Sequence, residues 1–481
     1  MKYRLRHLFL MAAFLIGCTF DQSGSFHGRD GSPADGQALD GHVVGAVDAR
    51  RDGKPDGVPP DASHDAGVDA PVAEADAQGP DSGMYFIELI DVSSTGVPGD
   101  GVSETPSVSA DGQLVAFSSA AKNLIPSDTN GESDAFLRDR PGTKTSRLNE
   151  WTDGKQSPVT SGPPSLSSDG KYVAFVGSSS MAPSPPPDGD GPYLWLREIA
   201  TGKLQPVNKQ GSRPAASADG RHVAFMRWRG FLPDEPHNEH RDVYAWDRDT
   251  GNFSKASISS TGEHGNGECL DPISISSDGR FVAFASNATN LVPGDTNQRG
   301  DVFVHDLKDR KTVRVSVATG GKQADRVSQS PSISGDGRYV AFQSYASNLV
   351  ENDTNGDADV FVHDTQTGET SLVSGPSEGV TGSPGRNGDP SISADGRFVA
   401  FWSTAQNLVA GQVSGAMIYV HDRETRKTAR VSLNSKGEPA NASCLEPRIS
   451  ADGRTVVFQS AATNLGATGQ HIYLVRNPLA Q

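Results

Sequence analysis

One turn motif returns seven times beyond residue 84. Its first copy is Ser109-Ala110-Asp111-Gly112, followed by Val115-Ala116-Phe117; later copies are anchored at Asp169-Gly170, Asp219-Gly220, Asp278-Gly279, Asp336-Gly337, Asp395-Gly396 and Asp452-Gly453. Successive Asp residues are separated by 58, 50, 59, 58, 59 and 57 positions. A period held over six intervals marks a structural repeat, in which each unit is too small to bury its own apolar face and must stack on its neighbours.

Each unit reads as four short strands. In the fifth, Pro331 to Ser334 is strand a, Asp336-Gly337 is a tight hairpin turn, Arg338 to Ser344 is strand b, Asp359 to Asp364 is strand c, and Thr370 to Ser374 is strand d after a Thr367-Gly368 turn. Gly at 53 residues and Pro at 31 agree with so many turns, and the low hydrophobic fraction of 35% disfavours a compact α/β enzyme. The seventh unit stops after strand c, His471 to Val475, while an orphan strand, Tyr85 to Val92, precedes the first unit. That orphan is expected to complete the last blade and remove an open edge. The expected fold is therefore all-β: a seven-bladed β-propeller of four-stranded antiparallel blades over residues 84–481, closed by its N-terminal strand.

The unit Pro-x-x-Ser-x-Asp-Gly-x-x-Val-Ala-Phe resembles the WD40-like (PD40) repeat of TolB-type propellers, and the resemblance covers residues 84–481. It implies an envelope compartment and a role in binding envelope partners. The chain departs from that family in lacking its N-terminal α/β domain and in having seven blades rather than six, so no partner-binding residue is carried over.

The N-terminus reads as an address. Lys2, Arg4 and Arg6 precede a short apolar run, Leu8 to Ile16, about half the ~20 residues that span a bilayer. Leu15-Ile16-Gly17-Cys18 resembles the lipobox of bacterial lipoproteins, which implies cleavage before Cys18 and lipidation of its thiol; a plain secretory signal is the alternative. Thr19 in place of Asp favours, by the same resemblance, sorting to the outer membrane, on its periplasmic or cell-surface side. Residues 19–83 are rich in Asp, Ala, Gly and Pro and are expected to be a disordered tether. A flexible coil of roughly 65 residues spans about 45 Å on average.

The net charge of −16 argues against nucleic acid or an anionic membrane surface as the principal partner. Within a blade, the a–b and c–d turns are tight, whereas the b–c and d–a loops are long and differ from blade to blade. Recognition is expected on the face carrying those loops. The third blade's b–c loop departs most, with Trp228, Arg229, Phe231, Asp234, Glu235, His237, Glu239 and His240. Exposed aromatics beside Arg are typical of binding hot spots, which makes Trp228, Arg229, Phe231, His237 and His240 candidate partner contacts. His237 and His240 also suit a transition metal, although a loop does not guarantee that both rings converge.

Spaced oxygen donors enter strand c in three blades: Asp128, Asn130 and Asp134; Asp295, Asn297 and Asp301; Asp353, Asn355, Asp357 and Asp359. The last set is the candidate site for a structural calcium ion, and Asx-turns at the strand entry are the alternative. His305, His363 and His421 recur in Val-His-Asp on strand c and are read as architecture. Cys269 and Cys444 occupy equivalent places three blades apart and are expected to be small buried residues rather than a disulfide. No catalytic residue is singled out, and no Gly-x-Ser-x-Gly elbow is visible. The leading expectation is a lipid-anchored, monomeric, non-enzymatic envelope module that binds a protein or glycan. The alternative is a propeller hydrolase or polysaccharide lyase, with acids from several blades meeting near the channel.

Overall fold

The computed structural model describes residues 85–480, apart from 127, 152–153, 159, 179–180, 182–191, 229, 231, 233–234, 236–238, 352, 376–383, 412 and 414. Cys18 and the tether to residue 83 lie outside the described residues, as does the second blade's Pro183 to Pro187 run, whose composition predicts a stiff loop wall.

The strands form seven four-stranded antiparallel sheets, each in simple meander order. Blade 1 comprises strands a to d at Ser103–Val108, Leu114–Ser119, Asp134–Asp139 and Lys144–Arg147. The corresponding strands of blade 5 are Ser328–Ile333, Tyr339–Ser344, Asp359–Asp364 and Thr370–Leu372. Blade 7 takes Cys444–Ile449, Thr455–Ser460 and His471–Arg476 from the C-terminus and its fourth strand, Ile87–Leu89, from the N-terminus. Ile87 pairs with Val475 and Leu89 with Tyr473, so the ring closes as expected. The closing strand is shorter than Tyr85 to Val92 because the chain turns back on itself through a bridge between Val92 and Pro98. Among the described residues no helix is long and apolar enough to cross a membrane.

The repeated turn is self-capping. Ser109 Oγ donates to Asp111 Oδ1 (2.7 Å) and accepts from Leu114 N (3.0 Å), while Gln113 N donates to the same Asp oxygen (3.0 Å). All seven copies repeat the Ser-to-Asp bond. The Gly must adopt a left-handed φ, +74° at Gly396, and a Cβ there would stand 2.2 Å from the Tyr339 ring of the preceding blade. The turn is thus also an inter-blade contact. Its amides complete a ring around the channel: Ala110 donates to Ser168, Asp169 to Ala218, Ala218 to Ser277, Ser277 to Gly335, Gly335 to Ala394, Ala394 to Ala451, and Asp452 back to Ala110. These bonds measure 2.8–3.2 Å and join every blade to the next.

Strands b and c carry the core. Their Val-Ala-Phe and Val-Phe-Val triplets are buried between neighbouring blades, and Phe pairs such as Phe117–Phe136, Phe284–Phe303 and Phe342–Phe361 stack across each sheet. Strand a differs from expectation. In blade 5 it begins at Ser328 rather than Pro331, with a bulge between Gln329 and Ser332 where Pro331 cannot donate a ladder bond.

Candidate functional site

That bulge shapes the channel mouth on the face bearing the long loops. The residue before each strand-a proline takes a positive φ in five blades: Thr105, Arg213, Ser330, Asp389 and Glu446, between +46° and +53°. The repetition makes the backbone state architectural, and the side chains vary. The channel encloses a cavity of about 300 Å³ walled by the strand-a prolines, with Arg213, Asp389, Glu446 and Arg448 on its lining. Glu446 Oε2 accepts from Thr105 N (3.1 Å), and Asp389 Oδ2 accepts from Trp402 Nε1 (2.8 Å). Burial pushes the Glu446 carboxyl up, Asp389 and Glu104 add to the effect, and Arg448 opposes it. This rim of unlike charges is not evident in linear order, because Arg213, Asp389 and Glu446 come from three different blades.

On the same face, blade 3 presents Trp228 at the end of strand b, half-exposed. The Arg241 guanidinium lies 5.6 Å from its ring centroid and is fixed by Glu268 (2.8 Å) and Asp271 (3.0 Å) of blade 4. Arg213 reaches Asp271 at 3.4 Å, so a charged chain runs from Trp228 inward to the channel. Arg241, Glu268, Asp271 and Arg213 were not singled out in the sequence. Of the six exposed large apolar side chains among the described residues, Val97, Val102, Trp228 and Leu445 lie on this face.

Arg229, Phe231 and His237 lie outside the described residues. His240 Nε2 sits 3.2 Å from the Gly265 carbonyl. Glu235 corrects the picture of an exposed loop: its carboxylate is buried and receives Lys255 Nζ and Tyr244 OH. Among the described residues, no group of three or more His, Cys, Asp and Glu side chains is placed to hold a metal.

Glu235 belongs to a site that recurs at the start of strand c. In blade 1, Arg147 Nη1 lies 3.9 Å from Asp128 and 3.4 Å from Asp134. In blade 4, Arg314 Nη1 lies 3.4 Å from Asp295 and 3.5 Å from Asp301. In blade 3, Lys255 bridges Glu235 and Asp242. All three cations occupy the same register, opposite the strand-c aromatic: Phe136, Phe303 and Tyr244. In blade 5 the residue opposite Phe361 is Leu372.

Asp359 there accepts Ser374 Oγ (2.7 Å) and Asn387 Nδ2 (2.9 Å) on Oδ1, and Asn355 Nδ2 (2.8 Å) on Oδ2. Asn355 Oδ1 accepts Asp357 N (3.0 Å), an Asx-turn that Asn130 and Asn297 repeat, while Asp357 Oδ2 accepts Gly385 N (3.1 Å). Burial, with Asp353 adding to it, pushes the Asp359 carboxyl up to about 6.

The Val-His-Asp residues knit blades together. Thr312 Oγ1 donates to the Ile258 carbonyl of the preceding blade, so it accepts the proton on His305 Nδ1 (2.8 Å). His363 and His421 meet Thr370 and Thr428 in the same way, at 2.9 Å. The Arg338 guanidinium holds Asp364 well below the usual carboxylate range. Cys269 and Cys444 are free, buried thiols.

No family model matches the chain, and no curated protein matches it. In structure it is similar to TolB from Acinetobacter baumannii, at 17% identity over 62% of this chain and 58% of that one, with a TM-score of 0.36. It is also similar to the tricorn protease (16% identity, 83% of this chain and 34% of that one, TM-score 0.47) and to the β-propeller domain of the Trilobed protease from Pyrococcus furiosus (13%, 78% and 93%, TM-score 0.48). The chain thus spans just over half of the TolB chain and about a third of the tricorn protease.

Proposed function

We propose that this propeller is a binding module of the cell envelope, tethered through lipidated Cys18 and acting as a monomer. Its partner is an envelope protein or glycan, engaged on the face bearing the long loops. The observation that carries this reading is the half-exposed Trp228 stacked on Arg241, which Glu268 and Asp271 hold in place. An aromatic and a guanidinium already fixed by neighbours lose little freedom on binding, as hot-spot residues require. The test is capture of envelope components by the full chain and by its Trp228→Ala variant. A partner retained by the first and lost by the second supports the reading; equal retention removes Trp228 from it.

A second reading, a glycan-cleaving propeller, is favoured by Glu446. A half-buried carboxyl with a raised pKa at a channel mouth, near Asp389, has the properties of a general acid. Turnover of an envelope polysaccharide that vanishes in Glu446→Gln would support it; turnover unchanged by that substitution would sink it.

A further inference from the structure

Blade 5 breaks a rule that blades 1, 3 and 4 keep. In blades 1, 3 and 4, two buried carboxylates at the entry to strand c share one cation supplied by strand d. Asp353 and Asp359 occupy the same two places in blade 5, but Leu372 stands where Arg147, Lys255 and Arg314 stand. Both carboxylates are still buried, Asp353 at 7% exposure and Asp359 at 0%. Asp353 Oδ1 has no hydrogen-bond partner among the described residues. The nearby exposed charges, Asp325 and Arg326 on the approach to strand a, act on Asp353 with opposite signs.

We propose that blade 5 binds a divalent cation of the calcium class between Asp353 and Asp359, at the point that a strand-d Arg or Lys fills in the other three blades. In blade 4 a single Nη1 sits nearly midway between the two carboxylates, at 3.4 and 3.5 Å, so the scaffold brings both acids to one point. An ion there draws them to the 2.3–2.6 Å typical of calcium–oxygen bonds. Two carboxylates carry two negative charges, which a divalent ion neutralises within the low-dielectric wall between blades. Asp353 Oδ1 supplies the unpartnered oxygen, and Asp359 Oδ2, with one bond from Asn355, keeps a lone pair.

Asn355 Oδ1 and Asp357 Oδ2 each accept a backbone amide, which fixes the turn beside the two carboxylates. The remaining positions fall to water and backbone carbonyls. Calcium tolerates such an irregular set better than magnesium, which demands near-octahedral geometry.

The experiment is calcium titration of the EDTA-treated full chain, followed by calorimetry and by thermal unfolding. Saturable heat and a rise in Tm of about 2–4 °C at millimolar Ca²⁺ are expected. Asp353→Asn should abolish both signals. Leu372→Arg, which restores the rule of blades 1, 3 and 4, should abolish both while raising the calcium-free Tm. If Leu372→Arg does not fold, Asp353→Asn still decides the matter. The proposal is overturned if the wild-type chain gives neither heat nor a Tm shift up to 10 mM, if Asp353→Asn keeps the wild-type response, or if sodium at matched ionic strength gives the same shift.

Discussion

Acidification should weaken the seams between blades, and His305 allows the size of the effect to be worked out. The ring is 2% exposed, donates its Nδ1 proton to Thr312, and is held neutral by burial, which pushes its pKa down to about 4. In the unfolded chain the same imidazole titrates near 6.5. Between those values the unfolded state binds more protons, so stability falls as pH drops from about 6.5 to about 4. A gap of roughly 2.5 units at 1.36 kcal/mol per unit sets a ceiling of about 3 kcal/mol, of which about 2 kcal/mol is lost between pH 7 and pH 5.

His305→Gln is the matched perturbation, because the amide keeps a donor for Thr312 and does not titrate. Urea unfolding of both proteins at pH 7 and pH 5 isolates the histidine, since every carboxylate titrates alike in the two chains. The wild type should lose about 2 kcal/mol more than the variant over that interval. Equal losses would refute the assignment of His305 as a buried neutral lock. His421, also pushed down to about 4 by burial, should behave in the same way.

Gly396→Ala should destabilise by roughly 2–5 kcal/mol, combining left-handed strain with overpacking against Tyr339, whereas Gly368→Ala, with a similar φ and open space around it, should cost only about 1–2 kcal/mol in the same urea assay. Asp91 joins the closing strand to blade 7 by accepting from His471 Nδ1 (2.8 Å) and Ile472 N (3.1 Å). Asp91→Ala should therefore cost about 3–5 kcal/mol. Because the Asp91 bond raises the folded pKa of His471, the wild-type advantage over Asp91→Asn should be full below pH 6.5 and shrink as pH rises through the folded value. Cys18→Ser should release the protein from the membrane fraction, and continued attachment would rule out the lipid anchor.

Much of the architecture was legible in linear order because its determinants are local. The Ser-x-Asp-Gly turn is closed by bonds that span two to five residues, so it leaves the same trace in every unit. The missing last strand and the surplus first one could be counted, and counting them predicted the closure through Ile87–Leu89. The charged rim beside the channel was legible only at Trp228. Its supports, Arg241 and Asp271, come from different blades, and nothing in their spacing links them. The strand-a bulge was missed because a proline in the unit reads equally well as a strand start or as a break in the ladder.

The amino-acid sequence by itself determined the blade count, the turn chemistry, the ring closure and the two unlike faces, since all of these follow from period and from hydrogen bonds between near neighbours. Only the tertiary structure decided which charges meet. Glu235 left the set of exposed loop residues once Lys255 was found beneath it, and Leu372 gained meaning only when its register aligned it with Arg147 and Arg314. The physical reason is that charge balance in a buried site depends on distances of 3–4 Å, and in a propeller those distances are set by how strands c and d pair and how blades pack.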